Sequence, residues 1–155
     1  MLQGDNEFDV TNYLSTGENI VAIKEANGDV SSVAKTKQLV GDALDIYSGN
    51  DDQIIPIMSL GGKGVISVLS NILPKETHDM CMAFLNGDTK TAAEMQLKYI
   101  PFINALFSDV NPIPVKEAMN LMGKNVGPVR LPLVPMDAQK KEAMKQIMLG
   151  LGLIK

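Results

Sequence analysis

Three short apolar runs separated by helical patterns constrain this chain more than any other feature. Ile20 to Glu25 (IVAIKE), Ala43 to Tyr47 (ALDIY) and Gly64 to Leu69 (GVISVL) are rich in apolar and β-branched residues and bounded by Gly, Asn or Asp. Such runs read as strands covered on both faces. Between the first two, Ser31 or Asp29 is positioned to cap a helix that carries Val33, Ala34 and Val40 on one side, and Gly41 ends it. After the second run, Asp51 and Asp52 stand where a helix N-terminus favours negative charge, and that helix closes at Gly61-Gly62. Strand, helix, strand, helix, strand is the rhythm of an α/β fold with a parallel sheet.

From Pro74 onward the pattern is helical throughout. Prolines 74 and 114 sit at first-turn positions, glycines 87 and 123 at ends, and Asp88 and Asp137 at N-cap positions, which predicts helices near 75–86, 88–107, 114–122 and 137–151. Pro101 falls inside the second of these, where the missing backbone donor predicts a kink. Many of the ten methionines fall in this region and are expected to be flexible core filler. The reading divides the chain into a strand-bearing part, residues 1–87, and a helical part, residues 88–155.

Composition narrows the function. A 155-residue chain with 45% hydrophobic residues builds a real core. Its net charge is −4, with Lys and Arg scattered and no basic stripe, so nucleic acid is not an expected partner. The one cysteine, Cys81, has no partner for a bridge, and the one histidine, His78, has no second ligand at metal spacing; neither a disulfide nor a metal is expected. Without an 18-residue apolar stretch or a charged start followed by an apolar run, the expectation is a soluble cytoplasmic protein with no membrane association.

Lys24 is the candidate for nucleophilic chemistry. Strand alternation puts Ile20, Ala22, Lys24 and Ala26 on one face and Val21, Ile23 and Glu25 on the other. An amine at the carboxyl end of a buried strand, with alanines leaving room before it, would be partly desolvated and able to attack a ketone as a Schiff-base nucleophile. The plainer role is a strand-end lysine that reaches solvent or pairs with Glu25. The loops after the neighbouring strands, Tyr47-Ser48-Gly49-Asn50-Asp51-Asp52 and Gly61-Gly62-Lys63-Gly64, offer backbone that a small anionic ligand could approach closely. Neither is a phosphate-binding loop, because GxxxxGK[ST] and GxGxxG are both lacking.

Taken in order, VAIKEANGD (21–29), YSGNDD (47–52), GGKGVISV (61–68), NPIPVKEAM (111–119) and RLPLVPM (130–136) resemble the C-terminal half of the dihydrodipicolinate synthase family. The resemblance implies a partial (β/α)8 barrel, strands six to eight with their helices, followed by a C-terminal helical region. It implies a cofactor-free lyase that condenses pyruvate with aspartate 4-semialdehyde in lysine biosynthesis by the diaminopimelate route. It also implies roles: Lys24 as the imine lysine, the backbone of Ile66 against bound pyruvate, and Gly49, with Asn50 beside it in SGND, facing the second substrate. Related lyases act on sialic acid or 2-keto-3-deoxy sugar acids through the same lysine.

A barrel of this type takes roughly 250 residues, so five strands, and the threonine and tyrosine proton relay the family builds with them, have no counterpart here. LQGDNEFDV (2–10) aligns with a family stretch in which Asp5 replaces a carboxylate-gripping arginine, and the helix carrying Val10, Tyr13 and Leu14 is about one turn short. An open parallel sheet exposes a raw edge, which predicts association. The partner would be another copy in a homo-oligomer, in which the resemblance puts Val30 and Leu60 near a subunit contact, or a complementing N-terminal half. A half barrel acting only through such assembly is the non-enzymatic alternative.

Overall fold

The computed structural model describes residues 19–155, so the expectations for LQGDNEFDV and for the helix of Val10, Tyr13 and Leu14 fall outside the described residues. The chain divides into two compact units, the first running to Ser67 and the second from Val68 to Lys155. The boundary anticipated at 87/88 lies within the second of these.

The first unit is α/β. Strands β1 (Ala22–Glu25), β2 (Asp45–Ser48) and β3 (Gly64–Val65) pair in parallel in that order, with helix α1 (Val30–Val40) between β1 and β2 and helix α2 (Ile54–Ser59) between β2 and β3. Of the two cap candidates for α1, Asp29 takes the role: its side chain accepts from Ser31 N–H, and Gly41 closes the other end in a positive-φ conformation. The buried stripe of α1 is Val33, Thr36 and Val40; Ala34, expected on it, is exposed.

The sheet is covered on one face. Val33 and Val40 of α1, Leu44, Ile46 of β2 and Ile57 of α2 form a single cluster, with Ile23 and Leu60 packed against it. Ile46 is 1% exposed, and the register sets it beside Ile23. The opposite face carries Ala22 and Lys24 of β1 and Asp45 of β2, all exposed, together with half-buried Tyr47. The expectation of strands buried on both faces therefore fails, because the two helices of this unit cover only the Ile23–Ile46 side. The strands are also shorter than their apolar runs. Ile20 and Val21 precede β1 and are exposed, and beyond Val65 the chain soon turns into a 3-10 segment at Leu69–Asn71.

The second unit is helical: α3 (Pro74–Leu85), α4 (Thr89–Leu106), α5 (Ile113–Leu121) and α6 (Ala138–Gly150). The predicted end signals hold. Pro74 lies in the first turn of α3, Asp88 accepts from Thr91 N–H, Asp137 accepts from the N–H groups of Gln139 and Lys140, and Gly87 and Gly123 follow the C-caps with positive φ. Helix α4 runs through Pro101, which lies on its exposed side. Phe102, Ile103 and Leu106 of α4 are buried, as are Met80, Met144 and Met148, each 0% exposed, so these methionines are core filler as expected. The pairs Lys140–Asp109 and Lys141–Glu117 tie the start of α6 to α5 and the turn before it. No described helix is long and apolar enough to cross a membrane.

Candidate active site

The carboxyl ends of the parallel strands gather the four residues singled out in the sequence. The ladder sets Lys24 opposite Tyr47 and Glu25 opposite Ser48, then Tyr47 opposite Gly64 and Ser48 opposite Val65. One residue further along, Gly49 N–H donates to the Glu25 carbonyl at 2.6 Å and Ile66 N–H donates to the Ser48 carbonyl at 2.8 Å. Lys24, Gly49, Asn50 and Ile66 thus occupy one edge of the sheet, where ligands bind in parallel α/β folds.

Side chains lace the loops at this edge. The Ser48 hydroxyl, fully buried, donates to the Asn50 carbonyl at 2.7 Å and accepts from Asn50 N–H at 3.2 Å. Gln53 Nε2 donates to the Gly28 carbonyl at 2.8 Å, fastening the segment after β2 to the loop after β1. Within that loop the Asn27 side chain accepts from Asp29 N–H and donates to Ser32 Oγ.

Lys24 itself is exposed, which corrects the expectation of a desolvated amine: it lies on the sheet face that α1 and α2 leave open. Glu25 is not its partner. The Glu25 carboxylate accepts from Asn27 N–H, on the other face of the strand, and among the described residues Lys24 forms no ion pair. Its methylenes instead lie against Gly49, so closely that a Cβ placed on that glycine would stand 2.6 Å from Lys24 Cε. Ile66 is 51% exposed, and its N–H is engaged in the ladder.

The register also brings up a residue that the sequence reading passed over. Tyr47 sits beside Lys24 on the same face, and its ring is 3.8 Å from where a Gly64 Cβ would be. Alternation within DIYS carries that phase, but without the register nothing ties it to Lys24. In the second unit, a cavity of about 350 Å³ lined by Ile113, Lys116, Glu117, Asn120 and Pro128 among others contains none of the anticipated site residues. No cluster of three or more His, Cys, Asp or Glu among the described residues is arranged to hold a metal ion.

Comparison with known proteins places this geometry in a lineage. The profile of the Dihydrodipicolinate synthetase family matches residues 5–149. The 4-hydroxy-tetrahydrodipicolinate synthase of Thermoanaerobacter sp. (strain X514) is 55% identical over 138 residues, 89% of this chain and 46% of that protein. The enzyme of the same name from Caldicellulosiruptor saccharolyticus is 57% identical over 140 residues, 90% of this chain and 47% of that protein. Among solved structures, the Thermotoga maritima dihydrodipicolinate synthase superposes with a TM-score of 0.90 at 36% identity, covering 95% of this chain and 51% of that one. The Acinetobacter baumannii dihydrodipicolinate synthase complexed with pyruvate gives 0.90 at 35% identity, covering 95% and 50%. The chain spans about half the length of the relatives it matches. By profile, identity and fold, it belongs to the dihydrodipicolinate synthetase family.

Proposed function

We propose that this chain supplies the imine-forming half of a 4-hydroxy-tetrahydrodipicolinate synthase, a class I lyase that condenses pyruvate with aspartate 4-semialdehyde. In this reading β1, β2 and β3 are the last three strands of the barrel, residues 1–87 belong to the barrel portion and 88–155 to the appended helical region. Lys24 attacks the ketone of pyruvate and loses water to form a protonated imine. That cation is an electron sink: the pyruvate methyl group gives up a proton to water, and the resulting enamine carbon attacks the aldehyde, whose oxygen takes up a proton. The amine of the aldehyde substrate then displaces Lys24 from the imine, freeing it for the next turnover. The Ile66 carbonyl faces the bound pyruvate, and Gly49 with Asn50 faces the aldehyde. No cofactor enters any of these steps.

The observation that carries the reading is the seat of Lys24: an amine at the carboxyl edge of the parallel sheet, its stem against Gly49, with the strand ends bearing Asn50 and Ile66 alongside. The open sheet face favours a second element, that turnover requires assembly with an N-terminal half or with further copies of the chain. Val30, half-buried at the start of α1, and Leu60, packed at the rim of the first core, would lie near a contact between copies of the chain in a homo-oligomer. Co-expression with the N-terminal half of the Thermoanaerobacter enzyme tests this reading. Condensation that appears with both pieces and vanishes with Lys24→Arg supports it. No condensation of aspartate 4-semialdehyde from a well-formed complex refutes it, and turnover of a sugar-acid substrate instead would move the chain to the related lyases.

A further inference from the structure

The φ of Gly49 lies outside the left-handed region that favours glycine, so the demand for a glycine there is one of space. The three atoms nearest a Cβ on Gly49 would be Ala26 Cβ at 2.5 Å, Lys24 Cε at 2.6 Å and the Glu25 carbonyl oxygen at 3.1 Å. All belong to the carboxyl end of β1 and the residue after it. Gly62 makes a useful contrast, since the nearest atoms to a Cβ there all belong to Ile57, at 2.8–3.1 Å, a residue of the buried core. At Gly49 the space is shared between a backbone-anchored methyl and the terminal carbon, the one bearing the amine, of the side chain assigned to the chemistry.

We propose that Gly49 is a positioning residue for Lys24, its missing side chain being the slot in which the lysine stem lies so that the amine is held at the sheet edge. This deepens the imine-lysine reading and rests on it. Restoring ordinary contact would take the Cε distance from 2.6 Å to at least 3.4 Å, a shift of about 0.8 Å. Misplacing a reacting group by about 1 Å costs on the order of a hundredfold in rate. The Ala26 contact is different in kind, because a methyl group one bond from the backbone cannot swing aside and the strand ends themselves would have to part.

These two effects separate experimentally. The rate of pyruvate-dependent borohydride trapping and the urea midpoint are measured for wild type, Gly49→Ala, Ala26→Gly and the Ala26→Gly/Gly49→Ala double variant. Gly49→Ala is expected to trap roughly a hundredfold more slowly and to unfold earlier. The double variant, with Ala26→Gly as its reference, should regain its midpoint while trapping stays slow. Trapping that recovers with the midpoint, or a wild-type rate in Gly49→Ala, overturns the proposal and leaves Gly49 a packing residue. If wild type traps no pyruvate, both alone and paired with a complementing N-terminal half, the imine reading itself fails. The slot is then decided by the 13C-dimethyl resonance of reductively methylated Lys24, assigned by its loss in Lys24→Arg. A resonance moved in the double variant supports the slot, and one identical to wild type removes it.

Discussion

Replacing Ile46 by alanine separates the two faces of the sheet energetically. Ile46 is 1% exposed at the centre of β2, enclosed by Val33, Val40, Leu44 and Ile57. Isoleucine to alanine removes three buried carbons at about 0.8 kcal/mol each, about 2.4 kcal/mol of transfer energy. The cavity left in a cluster clamped between two helices raises the cost to about 3–4 kcal/mol. With a urea dependence of about 2 kcal/mol per molar, the midpoint should fall by roughly 1.5–2 M. Asp45, exposed on the opposite face of the same strand, is the control: Asp45→Ala should cost less than about 0.5 kcal/mol. Urea titrations followed by far-UV circular dichroism, with the slope checked for constancy, give both numbers. Equal costs, or an Ile46→Ala loss below about 1 kcal/mol, would refute the one-sided sheet and with it the account of why Lys24 stands on an open face.

Two further outcomes test the helical unit. Asp137 caps α6 by accepting two backbone N–H bonds, so Asp137→Ala should destabilise by about 1 kcal/mol, read as a lowered urea midpoint, while Asp137→Asn should be close to neutral. Asp109 has its carboxyl held below the usual aspartate range, first by the Val110 N–H and then by the Lys140 ammonium. A depressed folded-state value means that its contribution is complete above the unfolded-state pKa of about 4. That contribution is lost as pH falls through the lower folded value, so Asp109→Asn should flatten stability against pH on the acid side and leave it unchanged in shape near neutrality. A variant as steep as wild type under acid would show that the Asp109–Lys140 pair contributes nothing there.

What the sequence disclosed and what it withheld follow from the range of each interaction. Helix ends were legible because their signals are local: Asp29, Asp88 and Asp137 each cap through a neighbour two or three residues on, and Pro74 needs only its own ring to favour a first turn. Strand ends were not, because a strand lasts only as far as its partner does. Ile20 and Val21 have the right chemistry and lie outside β1, and β3 keeps two residues of the apolar run that begins at Gly64. Alternation correctly put Ala22 and Lys24 on one face, yet whether that face is covered depends on which side the helices cross, a long-range fact. The contact of Lys24 with Gly49 spans two strands and rests on the register, as does the approach of Tyr47. Motif order carried the lineage, since five separated segments in the right succession need no geometry to be read.

The most direct measurement is the site of covalent capture. Protein incubated with pyruvate and borohydride, digested and mapped by mass spectrometry, should carry an N-carboxyethyl group on Lys24, and Lys24→Arg should carry none at any lysine. A chain that stays unmodified with pyruvate and borohydride, both alone and when paired with a complementing N-terminal half, or one modified at a lysine other than Lys24, would contradict the assignment of Lys24 as the imine-forming residue.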